Sequence, residues 1–262
     1  MTMKRLSEKV ALVIGAGVAG EGWGNGNATA VEFARQGAKV VAVDYDLGRA
    51  ERTRDFILGE GGDSIALGCD VTSSSQVAAM VVAAKKAYGR IDILHNNVGI
   101  VVVGGVVDMP EDAWDRVMDT NLKSMFLTCK YTIPVMLEGG GGAIVNVSST
   151  SGIRWQGTPY ISYAASKSGV LQFTRQIAME YAAQGIRANI LLPGMIDTPL
   201  VRNSLSADGY EAVIEARNAA CPMKRMGTPF EVAKAAAFLA SDEASYISGA
   251  ELVVDGALTC KI

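Results

Sequence analysis

The sequence predicts a doubly wound α/β domain, with one parallel sheet of about seven strands covered by helices on both faces. Short β-branched apolar runs recur along the chain, helix-length segments separate most of them, and each run is apolar nearly throughout. Strands buried on both faces need that continuous apolarity, whereas a strand with one wet face alternates. The runs are VALVIG (10–15), KVVAVD (39–44), SIALGCD (64–70), IDILHNN (91–97), GAIVNVSS (142–149), IRANILLPG (186–194) and AELVVDG (250–256). A chain of 262 residues, 49% hydrophobic and without a Pro- or Ser-rich linker, is expected to fold as one domain over 1–262.

The first strand runs into GAGVAGEGWGNGNATA, Gly15 to Ala30. Gly15, Gly17 and Gly20 spell G-x-G-x-x-G, which would start a helix near residue 18 and put Gly20, Gly22, Gly24 and Gly26 inside it. Each internal glycine costs about 1 kcal/mol relative to alanine. The segment NATAVEFARQGAKV instead predicts a helix of about three turns that starts late and ends at Gly37. Gly26 is then the glycine of the helix entrance, and Gly15 turns the chain out of the strand. Gly24, Asn25 and Gly26 bring backbone N–H groups to a helix N-terminus, a ready anion site. About five extra residues, Trp23 among them, lie between Gly17 and Gly24.

Asp44 ends the second run, where a carboxylate suits a ribose with free 2′ and 3′ hydroxyls and repels a 2′-phosphate. Tyr45 follows it, Asn27 stands at the helix start, and no cation is evident for NADP. The patch Glu138 to Ala143 reads as a turn before the fifth strand.

With 24 Lys+Arg against 27 Asp+Glu and no basic stripe, nucleic acid and anionic membrane are poor partners. Cys69, Cys129, Cys221 and Cys260 are scattered and His95 is the single histidine, so no metal site is expected and a reducing cytoplasm is the expected compartment. Glu8 and Lys9 separate Lys4 and Arg5 from the N-terminal apolar run, which itself dissolves into glycines, against a signal peptide, and no run approaches the ~20 residues a spanning helix needs.

In YISYAASKSGVLQFTRQIAMEYAAQG, Tyr163 and Lys167 stand four apart on a long helix, hence on one face. An ammonium beside a phenol favours the phenolate, so Lys167 is expected to lower the pKa of Tyr163.

Together, Gly15, Gly24 and Gly26, Asp44, CDV (Cys69 to Val71), NNVG (Asn96 to Gly99), TNL with Asn121, VNVSS with Ser149, YAASK with Tyr163 and Lys167, NILLPGMIDT (Asn189 to Thr198) and VVDG resemble the short-chain dehydrogenase/reductase family over nearly the whole chain. The resemblance implies a Rossmann fold and a nicotinamide dinucleotide, with NAD expected from Asp44. It makes Tyr163 the general acid/base, with Lys167 holding the nicotinamide ribose, Ser149 bonding the reacting oxygen and Asn121 anchoring a water in a proton path. Asp70 and Val71 would meet adenine, Asn97 and Gly99 line the cofactor floor, and Ile196 and Thr198 hold the carboxamide. Four departures stand out: Ile14 before Gly15, the insertion, Val98 within NNVG, and one extra residue between Ser149 and Tyr163. The four-residue Tyr–Lys spacing argues against the enoyl reductase branch.

Arg154 and Trp155, between Ser149 and Tyr163, are expected at the substrate, facing a carboxylate and an apolar body respectively. Residues 199–225 resemble the family's substrate lid. The expected activity is NAD-dependent interconversion of a secondary alcohol and a ketone, in a homotetramer with the Tyr163 helix at one interface. The rivals are an NADPH-dependent 3-oxoacyl thioester reductase and an NAD-binding sensor without chemistry.

Overall fold

The computed structural model describes residues 4–199 and 210–261. All seven apolar runs form strands: β1 Val10–Ile14, β2 Lys39–Asp44, β3 Asp63–Gly68, β4 Ile93–Asn96, β5 Gly142–Val147, β6 Ile186–Pro193 and β7 Glu251–Val254. They make one sheet in the order β3-β2-β1-β4-β5-β6-β7, parallel at every pairing. The order reverses between β1 and β4, which opens a crevice at the carboxyl ends of those strands, the place where such sheets bind ligands.

Alternate residues of each strand feed two cores. Ala11, Val13, Val40 and Val145 pack against α1 (Asn25–Arg35), α2 (Leu47–Gly59) and the helix Pro229–Ala240 near the end of the chain. Leu12, Ile14, Val41 and Ile144 pack on the opposite side against α3 (Ser74–Tyr88), α5 (Ser124–Glu138) and α6 (Ile161–Tyr181). α4 (Glu111–Met118) runs into α5 through a π-helical turn, Asp119–Lys123. The helix Tyr210–Ala220, here α7, precedes Pro229–Ala240, here α8. Of the expected lid, residues 200–209 lie outside the described residues.

α1 starts late, with Gly24 as N-cap and Asn25 as the first helical residue. Gly20 and Gly22 both have positive φ, at 91° and 98°, so they belong to a loop. Asn27 caps the helix, its Oδ1 accepting from the N–H of Gly24 at 2.7 Å. The inserted loop is anchored by Trp23, whose ring meets Phe56 of α2 edge-on at 4.9 Å and Phe230 of α8 at 5.1 Å. Arg52 also donates to Val18 O at 3.2 Å.

A polar chain crosses the sheet beneath α5 and α6. Thr128 donates to Asn96 Oδ1 at 2.8 Å, Asn96 to Asn146 Oδ1 at 2.8 Å, and Asn146 to Thr174 at 2.9 Å, all in buried positions. Buried amides left unpaired would be destabilising, so these bonds fix α5 and α6 laterally on β4 and β5.

His95, on the other face of β4, is 0% exposed, edge-on to Phe33 at 5.8 Å, and neither ring nitrogen has a hydrogen-bond partner. Burial drives its pKa down to about 3. The unfolded chain therefore takes up a proton near pH 6.5 that the folded chain refuses, and stability falls as pH drops from about 6.5 towards 3. One proton gives a slope of up to about 1.4 kcal/mol per pH unit. His95→Leu should remove this slope and raise stability at pH 7 by about 1–3 kcal/mol, since two buried unpaired nitrogens disappear. Urea unfolding at pH 7 and pH 5 measures both effects, and an unchanged pH dependence in the variant would reject the account.

Candidate active site

The site is assembled around Lys167. Its ammonium donates to the carbonyl of Val147, at the end of β5, at 2.9 Å. The Ser148 hydroxyl bonds Lys167 O at 2.7 Å, clasping α6 to the strand end. A Cβ on Gly152 would lie 2.9 Å from the backbone carbon of Lys167, so a glycine is what lets the Ser149 turn press against α6. A Cβ on Gly99 would stand 3.2 Å from Lys167 Nζ and 3.6 Å from Asn121 Oδ1. The structure thus brings Gly99, Asn121 and Lys167 together.

Asn121 lies in the π-helical turn, a distortion that recurs at functional sites. Its side chain is engaged at both ends: Oδ1 accepts from Ile100 N at 2.8 Å, and Nδ2 donates to Ile100 O at 2.9 Å and to Ser166 Oγ at 3.0 Å. Three of the four hydrogen bonds the amide can make are thereby filled, and they fix the loop after β4 onto α6.

Ser149 Oγ accepts from Ser151 N at 3.1 Å, and Ser149 stands near enough to Tyr163 to pull its pKa down. Here one expectation is overturned. Tyr163 sits above, not below, the ordinary phenol pKa. Burial raises it, the Ser149 hydrogen bond lowers it less, and Tyr160 adds a further rise. Lys167 is on the same face, with Nζ 5.8 Å from the Tyr163 ring centre, yet burial also pushes its own pKa down to about 8. The spacing delivers the cation to the phenol, but loss of water penalises the charged forms of both groups.

At the crevice between β1 and β4, a Cβ on Gly26 would fall 1.8 Å from Gly15 O and 2.7 Å from Asn97 Nδ2. Asn97 itself donates to Gly15 O at 3.4 Å. Gly24, Asn25 and Gly26 open α1 at this point, and the amide oxygen of Asn25 is buried without a partner. The open N–H groups of a helix N-terminus and the glycine cradle fit a dinucleotide pyrophosphate, whereas the orphaned Asn25 oxygen, an acceptor, calls for a donor and adds nothing to anion binding. Asp44 accepts from Gly17 N at 3.0 Å and from Asp46 N at 3.1 Å, which fixes its carboxylate at the end of β2 against the loop after β1. Asp70 is bonded by Thr72 N and Oγ1, and Val71 is buried in the core beside α3. The Ile196 side chain lies in the opposite core, leaving its backbone to any ligand, while Thr198 is partly buried on the same segment.

Arg49 escaped the sequence reading. Its Cβ lies 2.6 Å from where a Cβ on Gly17 would stand, near the Asp44 carboxylate, which places the root of the side chain, not its guanidinium, at that point. It is paired with Asp46 at 3.3 Å. The residues Val147, Ser148, Gly152 and Ser166 were missed as well, because their contacts, through backbone atoms for Val147 and Gly152 and hydroxyls for the two serines, join segments remote in sequence.

A family model described as enoyl-(acyl carrier protein) reductase matches residues 17–259. The protein belongs to the short-chain dehydrogenase/reductase family. It is 39% identical to a cyclohexanol dehydrogenase of an Acinetobacter species, with 98% of this chain and 97% of that one covered. It is 38% identical to a 3-oxoacyl-[acyl-carrier-protein] reductase of Thermotoga maritima, over 97% of this chain and 99% of that one. A solved short-chain dehydrogenase/reductase from Burkholderia xenovorans superposes with a TM-score of 0.93 at 46% identity, covering 98% of this chain and 99% of the other. As a family member the protein is an oxidoreductase with a nicotinamide dinucleotide site. Its tyrosine and lysine keep the four-residue spacing on α6.

The cradle is testable directly. Gly26→Ala should weaken binding of ADP-ribose by more than about 100-fold, because its methyl overlaps the Gly15 carbonyl. Gly24→Ala should have a far smaller effect, since the nearest atom to its added carbon is 3.6 Å away. Equal losses in the two variants by calorimetric titration would move the anion site elsewhere.

Proposed function

We propose that the protein is an NAD-dependent dehydrogenase that interconverts a secondary alcohol and a ketone, oxidation being the working direction. The observation carrying this reading is the convergence of Ser149, Tyr163 and Lys167 at the carboxyl end of β5, in line with the dinucleotide cradle. When bound, the nicotinamide accepts the hydride that leaves the carbinol carbon. The chain's own residues manage the oxygen. Ser149 hydrogen-bonds it, and Tyr163 takes its proton in the phenolate form and returns it in the reverse direction. Lys167, charged below about pH 8, lies close enough to favour that phenolate and to pass the proton on. The products are a ketone, reduced cofactor and one proton released to solvent.

NAD preference rests on Asp44, whose carboxylate accepts hydrogen bonds and repels a 2′-phosphate. A second reading, reduction of a 3-oxoacyl thioester with NADPH, draws support from Arg49 beside that carboxylate and from the likeness to the Thermotoga enzyme. The Asp46 pairing of Arg49 weighs against it. A subunit contact on the α4–α6 face, one interface of the proposed homotetramer, draws support from a hollow there lined by Met118, Leu122, Phe126 and Phe173 with Asp119 and Lys123, where Phe126 is exposed. A reducing cytoplasm suits the four free cysteines.

Wild type should bind NAD at least tenfold tighter than NADP, and Asp44→Ser should narrow that gap. Tyr163→Phe should lower oxidation of secondary alcohols by about 10²–10⁴-fold while NAD still binds. Tighter NADP binding would favour the thioester reductase, and binding without turnover on any alcohol or ketone would leave a sensor.

A further inference from the structure

A cavity of about 300 Å³ adjoins the catalytic rim, a volume at the lower end of small-molecule sites. Its apolar wall includes Val106, Trp155, Pro159, Ile161 and Ala164, and Arg154 is the one charged residue lining it. No catalytic side chain lines the cavity, but two contacts tie it to the chemistry. Tyr160, also on its wall, stands edge-on to Tyr163 with ring centres 6.2 Å apart. Ser151, on the same wall, donates its N–H to Ser149 Oγ. The walls are clamped together, since Gly104 N donates to Pro159 O at 2.8 Å and Ile161 N to Gly104 O at 3.2 Å. This parallel bridge joins the loop after β4 to the approach to α6.

Two features of the cavity are unspent. Trp155 is 75% exposed and has no ring partner among the described residues. The Arg154 guanidinium forms no ion pair among the described residues, and the one hydrogen bond of its side chain runs from Nη1 to the carbonyl of its neighbour Ile153. A guanidinium at the edge of an apolar cavity is matched by a ligand with an apolar body and an anionic end. The lining contains no carboxylate to form an ion pair with a ligand cation, so its one formal charge favours an anion.

We infer that the substrate is an anionic hydroxy acid in which a ring or short apolar chain separates the reacting carbinol from a carboxylate. The carbinol meets Ser149 and Tyr163, the apolar body passes Tyr160 and lies against Trp155, and the carboxylate reaches Arg154. This rests on the alcohol dehydrogenase reading above and adds the charge and span of the substrate. The overall step is unchanged: carbinol and NAD go to ketone, NADH and a proton, with the carboxylate a spectator.

The test compares 4-hydroxycyclohexanecarboxylate with 4-methylcyclohexanol in the full-length enzyme. Wild type should favour the carboxylate by at least tenfold in kcat/KM. Arg154→Ala should reduce that ratio about tenfold, chiefly through KM, and Arg154→Lys should restore part of it. Independently, 4-oxocyclohexanecarboxylate added to the NAD complex, which cannot react, should quench tryptophan fluorescence in wild type, but not in Trp155→Phe and only weakly in Arg154→Ala. A wild-type ratio near one, or a ratio and quench unaltered by Arg154→Ala, would overturn the assignment. Failure to oxidise either alcohol with NAD or NADP would count instead against the dehydrogenase reading, and the quench would still decide whether Arg154 binds the carboxylate.

Discussion

The site depends on keeping one ammonium group out of water. Lys167 is 3% exposed, and depressing a lysine from 10.5 to about 8 corresponds to about 3 kcal/mol of unfavourable burial at neutral pH. Almost every close contact around the site answers that burden. Val147 O accepts from Nζ, Ser148 holds the residue's own carbonyl, Gly152 lets the catalytic turn lie against its backbone, and Gly99 leaves room for its head. Asn121 reaches the same helix through Ser166 and pins the loop after β4 through Ile100. A buried charge is tolerable only when its surroundings are fixed, so the need to hold Lys167 explains why so many backbone contacts converge here.

The phosphate end follows a different rule, close approach instead of charge. Gly26 presses α1 so near to Gly15 that no other residue fits, and Asn97 closes the same junction from β4. This tight packing leaves no slack in the loop that joins β1 to α1. The extra residues of that loop are therefore carried outward, across the gap between α2 and α8. Trp23 immediately precedes the N-cap Gly24, so its seat between Phe56 and Phe230 sets the angle at which the chain enters the helix. A loop this rich in glycine would otherwise lose much entropy on ordering, and the aromatic contacts offset that loss.

The legible parts of the sequence were those encoded in local pattern. Seven continuous apolar runs became seven parallel strands because a strand buried on both faces can carry little else. The late start of α1 followed from the cost of placing four glycines in a helix, and Tyr163 and Lys167 share a face because of helical spacing. What stayed hidden depends on partners remote in sequence or on backbone atoms. Neither the Thr128–Asn96–Asn146–Thr174 chain nor the Arg49 position beside Asp44 has a local signature. The direction of the Tyr163 shift was misjudged for a related reason. Spacing reveals which charge is nearby, whereas the balance between that charge and lost hydration depends on how the tertiary structure excludes water.

Two buried bases then shape how the protein answers to pH. His95 and Lys167 both have folded pKa values below their unfolded ones, so each makes the native state more stable at higher pH, over different windows. The His95 contribution is complete above about 6.5, while the Lys167 penalty persists up to about 8 and is relieved between there and 10.5. The proposed mechanism asks for the opposite of Lys167, because it is the charged form that would favour the Tyr163 phenolate. Raising pH above about 8 therefore stabilises the fold while discharging the group that tunes the acid/base. Under that mechanism an alkaline loss of activity and the alkaline gain in stability would be two readings of one titration. An unfolding curve and a rate profile that bend at the same pH would identify Lys167 as the residue that links them.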